Sequence, residues 1–146
     1  MSSAADPARE AALRLLARRE HGHGELVDKL ARKGWTKDDA LRAVDRLAEQ
    51  DLQSDARYAE GFVRSRAGKA YGPLRIRAEL AERGIDRGQV EAAINAADID
   101  WLARAADWFE RRYGGEQPGD LKEKARRQRA LARRGFDHAI VRELLG

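Results

Sequence analysis

The sequence contains no cysteine. That excludes disulfides, thiolate catalysis and cysteine-based zinc sites, and it fits a reducing compartment. Aromatic residues are few, with three each of Trp, Tyr and Phe, and proline occurs three times. β-Branched residues are also sparse, so little or no strand is expected. No apolar run approaches the roughly 18 residues of a membrane span. The opening "MSSAADPARE" lacks the basic start and apolar run of a secretory signal. These absences lead to the expectation of a soluble, cytoplasmic protein.

Chemistry-bearing motifs are missing as well. The four serines are Ser2, Ser3, Ser54 and Ser65, and Ser54 sits where a helix cap belongs. No phosphate-binding G-x-x-x-x-G-K-[ST] loop and no G-x-G-x-x-G is present. His21 and His23 form a glycine-flanked pair without a third metal ligand at helical spacing, and capping or turn packing accounts for them better. The carboxylates are mostly interleaved with Arg, as on salt-bridged helix surfaces. Neither a catalytic constellation, a metal site nor a cofactor is therefore expected.

What remains is rich in Ala, Leu, Arg and Glu, all good helix formers. Hydrophobic residues make up 42% of the 146 residues and charged residues 37%. The mixture suits amphipathic helices with heavily charged outer faces. The net charge of +4 is the small remainder of 29 cations against 25 acids, so the distribution of charge says more than its sum.

A short phrase occurs three times: "LARKGW" at 30–35, "LAERGI" at 80–85 and "LARRGF" at 131–136. The glycines, Gly34, Gly84 and Gly135, lie 50 and 51 residues apart. Each is preceded at four positions by Leu and followed at once by a large apolar residue. Gly just past a helix end takes the left-handed conformation without a Cβ clash, and the apolar residue folds back on the helix it follows. New helix caps then appear at Thr36, Asp86 and Asp137. Each copy also has a helix upstream, at 7–19, 55–67 and 101–113, with apolar faces read as Leu13, Leu16 and Ala17, as Tyr58, Ala59, Phe62 and Val63, and as Trp101, Leu102, Ala105, Trp108 and Phe109. The expected architecture is all-α: about nine short helices in three tandem three-helix repeats, at 1–52, 53–98 and 99–146, elongated and curved.

Two segments break the local charge balance. Residues 64–77 carry Arg64, Arg66, Lys69, Arg75 and Arg77 with no acid. Residues 122–134 carry seven cations against Glu123 alone. In that helix Leu121, Ala125, Leu131 and Ala132 are expected on the buried side, leaving the rest cationic. Same-sign clustering on a helix is repulsive unless something anionic answers it. Phosphate backbone and an acidic protein surface are both candidates. Only Tyr71 is interleaved with a cluster, so base stacking is poorly supported. A helix-turn-helix DNA reader is disfavoured, because the helices after the glycine turns are acidic or near neutral in the first two copies. The candidate partner or nucleic-acid contacts are Arg64, Arg66, Arg75, Arg77, Lys124, Arg126, Arg127 and Arg133.

The chain resembles the RecX family, regulators of the bacterial RecA recombinase. "LLARREHGHGELVDKLARKGW" carries Arg19, Glu20, His21, Glu25, Leu26, Lys29, Leu30 and Gly34 of the family's opening. "SDARYAEGFVRSRAGKAYGPLRIRAELAERGI" is the most specific stretch, with Ser54, Asp55, Arg57, Tyr58, Phe62, Arg64, Arg66, Gly72, Arg75 and Gly84, and "LARRGF" completes the ending. Gly22 and Ala130 depart from the family pattern, and neither is expected to touch the basic clusters. The resemblance implies three-helix repeats, no active site, and binding along the RecA–DNA filament with suppression of strand exchange, ATP hydrolysis and coprotease activity. A monomer is expected, with direct single- or double-stranded DNA contact through the basic segments left open. The competing readings are a stand-alone, sequence-nonspecific DNA-binding protein and a generic helical adaptor.

Overall fold

A computed structural model describes residues 6–146. Among these residues it contains nine α-helices and no strand: α1 (Pro7–Leu16), α2 (His23–Arg32), α3 (Lys37–Glu49), α4 (Asp55–Gly68), α5 (Pro73–Glu82), α6 (Arg87–Ala97), α7 (Trp101–Tyr113), α8 (Leu121–Arg133) and α9 (His138–Leu145). No helix among them is long and apolar enough to cross a membrane.

The threefold phrase has one physical cause. In each copy the N–H of the residue after Gly donates to the carbonyl of the Leu five positions back: Trp35 to Leu30 at 3.3 Å, Ile85 to Leu80 at 3.1 Å and Phe136 to Leu131 at 3.2 Å. This closes the last helical turn in the Schellman manner and requires a left-handed residue at Gly. Gly34, Gly84 and Gly135 have φ of 112°, 78° and 100°. The anchoring leucines Leu30, Leu80 and Leu131 are wholly buried. The phrase thus ends a helix and pins its final turn to a core. Thr36, Asp86 and Asp137 then accept backbone N–H bonds as caps of α3, α6 and α9, and Ser54 does so for α4.

The buried apolar residues fall into three clusters, one per triplet of helices. In the first, α1 and α2 pack on α3; in the second, α4 and α5 pack on α6; in the third, α7 and α8 pack on α9. The accessible surface is 8950 Å². A compact protein of 16.4 kDa would expose about 7,500 Å², so the molecule is surface-rich, as a row of small units must be.

Three expected faces differ. In α7, Leu102 is exposed, Ala105 is buried, and Trp101, Trp108 and Phe109 are half-buried. In α1 the buried residues are Ala8, Ala11 and Ala12, while Leu13 and Leu16 are half-buried and Ala17 is exposed. Alanine lets α1 lie close against α3, and the larger leucines cover the edges of the contact. In α8, Leu121 is 82% exposed and Ala132 is exposed, whereas Arg127 and Leu131 are buried. Leu121 stands at the first position of α8, beyond the reach of the small third core, and the inward row is set by Leu131 and the residue one turn before it.

Candidate partner-binding groove

The second and third repeats join through main chain. The N–H of Gly72 donates to the carbonyl of Arg134 at 2.6 Å, and that of Leu74 to the carbonyl of Gly135 at 3.0 Å. Helix α5 has no side-chain cap. The end of α8 supplies the acceptors that its first turn lacks, setting a negative helix end against a positive one. The approach is so close that a Cβ on Gly135 would lie 2.5 Å from Arg75 Cβ and 2.6 Å from Arg75 N. Arg134 reciprocates: its Nε donates to Ala70 O at 2.9 Å and its Nη2 to Lys69 O at 2.6 Å, at the end of α4.

This junction floors a groove of about 540 Å³. Tyr71 and Arg75 come from the start of α5 and the link before it, Trp108, Arg112 and Tyr113 from α7, and Arg126, Ala130, Arg133 and Arg134 from α8; Glu123 is the single carboxylate in the lining. The rings hold the cations. The Arg75 and Arg134 guanidiniums lie 4.1 and 4.5 Å from the Tyr71 ring centre, and Arg134 is also 4.9 Å from that of Trp108. Stacking leaves guanidinium edges open, and the N–H donors not already given to Glu79 and to backbone carbonyls can meet an anion. It also occupies ring faces, so the groove offers charge and hydrogen bonds rather than open stacking platforms.

The eight residues expected from sequence separate clearly. Arg75, Arg126 and Arg133 line the groove. Arg126 Nη1 pairs with Glu123 at 3.0 Å while its side chain stays 62% exposed. Arg133 and Arg64 are exposed, and Lys124 is half-buried; none of the three makes an ion pair among the described residues. Arg66 lines a different groove, its Nε 2.8 Å from Glu79 Oε1. Arg77 is held by Glu91 at 2.7 and 3.2 Å. Arg127 is inside: its Nε meets Glu123 at 3.1 Å, its Nη1 donates to Glu116 O at 2.8 Å, and it stacks on Tyr113 at 4.5 Å. It ties the α7–α8 loop to α8 and presents little surface to a partner.

The acid-free run at 64–77 is therefore not bare in space. Glu79 accepts from Arg66 and, at 3.0 Å, from Arg75. Burial pushes the Glu79 carboxyl up, but the two guanidiniums outweigh it and hold it below the usual carboxylate range. Glu91 is likewise lowered, by its hydrogen bonds from Arg77. Two further expectations change. Trp108 and Tyr113 join Tyr71 among the cations, supplied by a different helix, and Ala130 lies in the groove wall rather than apart from the basic residues. Arg112 and Arg134 were not among the expected contacts. The doubled Arg before Gly135 and the "WFERRY" end of α7 were the available signals.

Comparison with known proteins agrees with this architecture. Family models described as the first, second and third three-helix domains of RecX match residues 8–47, 54–94 and 98–145. The chain is 44% identical to the regulatory protein RecX of Pseudomonas entomophila (strain L48) over 94% of its own length and 88% of the relative's. It is 45% identical to that of Pseudomonas putida (strain W619) over the same shares. Crystal structures of RecX from Lactobacillus salivarius and of a second regulatory protein RecX superpose with TM-scores of 0.76 each, at 24% and 21% identity. Those superpositions cover 94% of this chain in both cases and 91% and 69% of the two solved chains, and they establish the shared fold. Matched in all three domains and over nearly its whole length, the chain belongs to the RecX family of regulatory proteins.

Proposed function

We propose that this protein binds filaments of a RecA-type recombinase on DNA and inhibits their strand exchange, ATP hydrolysis and coprotease activity, acting in the cytoplasm as a non-enzymatic monomer in recombination and repair. The observation that carries the reading is the groove between repeats 2 and 3, where five arginines converge around a single carboxylate. Such a surface selects an anionic partner. A row of three small units offers many separate contacts to a polymer of repeating subunits, and these add through avidity rather than through one deep pocket. The partner's anionic groups are the acidic recombinase surface, the filament DNA, or both.

The test is titration of the protein into recombinase strand exchange and ATPase reactions. Arg126→Glu with Arg133→Glu reverses two exposed groove cations without touching the buried Arg127, and inhibition is expected to weaken about tenfold or more. A folded double variant that inhibits as well as the parent would remove the groove from the mechanism.

A further inference from the structure

A second aromatic sandwich adjoins the first. Arg66 and Arg83 place their guanidiniums 4.3 and 4.8 Å from the centre of the Phe62 ring. Arg83 precedes Gly84 as Arg134 precedes Gly135, so the two sandwiches use equivalent helix-end arginines. Phe62, Arg66 and Arg83 line their own groove of about 430 Å³, beside the junction of repeats 1 and 2. One side chain connects the two sandwiches. Glu79 gives Oε1 to Arg66 and Oε2 to Arg75, and its side chain is only 19% exposed. Guanidinium, ring, guanidinium, carboxylate, guanidinium, ring, guanidinium thus form one continuous row over repeat 2.

We propose that this row is a track for the phosphodiester backbone of a nucleic-acid strand, and that Glu79 is a positioning residue that holds its affinity down. The inference rests on the filament-binding role proposed above, which sets the protein beside DNA. The chemistry favours a strand over an acidic peptide. The four cations are held in succession by two rings and one carboxylate, and a phosphodiester chain presents closely and regularly spaced charges to meet them. With ring faces covered, bases are not read, so binding is independent of sequence. Arg66 commits only its Nε to Glu79, leaving its Nη donors for a phosphate. Yet the carboxylate offsets one of the two central positive charges, holds a donor of each guanidinium, and repels an arriving phosphate. A strand binds fully only when it competes with Glu79 for Arg66 and Arg75.

The consequence has an unusual sign, because deleting an ion-pairing carboxylate should improve binding. The probe is a fluorescein-labelled dT20 oligonucleotide, followed by anisotropy across a salt series. Glu79→Gln keeps the side-chain shape and is expected to bind about fivefold more tightly. The salt dependence should steepen by about 0.7 in log–log slope, as one more phosphate is neutralised on a single strand. Adding Arg66→Gln and Arg75→Gln to that variant should abolish the gain. A purely structural Glu79 would instead lower the melting temperature and leave affinity equal or weaker; that result in a folded variant overturns the proposal, as does tighter binding of a polyglutamate of matching charge. Independently of any variant, dT20 added to the parent protein should shift the Arg66 and Arg75 Nε–H resonances, and binding that leaves both unmoved is equally fatal. Recombinase ATPase inhibition by the parent, measured alongside, tests the filament role separately.

Discussion

Repeat 1 meets repeat 2 through side chains; repeat 2 meets repeat 3 through paired backbone as well as side chains. At the first junction Gln53 Nε2 donates to His21 O at 3.1 Å and to Asp55 Oδ1 at 3.0 Å, the same oxygen accepts from His23 N at 2.8 Å, and Arg57 pairs with Glu20 at 2.9 Å. Buried His21 sits among these groups. Its Nδ1 lies 3.0 Å from the Arg19 carbonyl, which can only accept, so Nδ1 carries the proton and Nε2 receives a hydrogen bond from Lys29 Nζ at 3.0 Å. At the second junction, amides of α5 meet carbonyls of α8 directly, and Gly72 and Gly135 make room. The two helix-ending glycines Gly34 and Gly135 share a register and a left-handed φ, yet nothing lies within 4 Å of a Cβ built on Gly34. A repeated sequence phrase thus serves a turn alone in one place and a turn plus an interface in the other.

The contrast is most sharply broken by alanine at those two glycines. Gly135→Ala combines a strained φ with a steric collision and should cost about 3–4 kcal/mol in urea unfolding, against about 1 kcal/mol for Gly34→Ala. Equal costs would mean that the backbone junction is not closed in solution. Next in size, Gln53→Ala leaves the His21 carbonyl and Asp55 short of a donor at a buried position and should cost about 2 kcal/mol.

Smallest is a pH effect confined to the first junction. Burial lowers the His21 pKa, opposed by its bond to the Arg19 carbonyl and reinforced by the Arg19 and Lys29 charges. Because the folded state resists the proton, the contribution of His21 is complete above the unfolded value near 6.5 and is lost as pH falls toward the lowered folded value. The loss should reach no more than about 1.4 kcal/mol by pH 5.5. It should be absent from His21→Gln and unchanged in a Gly135→Ala background. Glu25, lowered because the Arg19 guanidinium outweighs its burial, acts in a separate window, its stabilisation lost only below its unfolded value of about 4.5.

What could be read from the chain was local. The three Schellman turns, the caps at Thr36, Ser54, Asp86 and Asp137, and the span of α7 follow from residues within a few positions of one another, where spacing alone decides geometry. The capping of α5 was not legible, because its acceptors belong to α8 and no side chain announces them. Charge was legible only as composition. A window of arginines without an acid looked bare, although Glu79 stands four residues after Arg75 and Glu91 reaches Arg77 from α6. Arg127 illustrates the reverse: its cation is absorbed by an internal carboxylate, a loop carbonyl and a ring, which one-dimensional clustering cannot reveal.

The borrowed cap on α5 also bears on biosynthesis. A ribosome delivers the chain from its amino end, so the first turn of this helix emerges long before the carbonyls that complete it. Until residues 134 and 135 arrive, amides 72 and 74 must be served by water. The middle unit therefore matures last at its own leading edge, and the arrival of residues 134 and 135, rather than the synthesis of the middle unit itself, closes the surface across which Arg75, Arg133 and Arg134 come together.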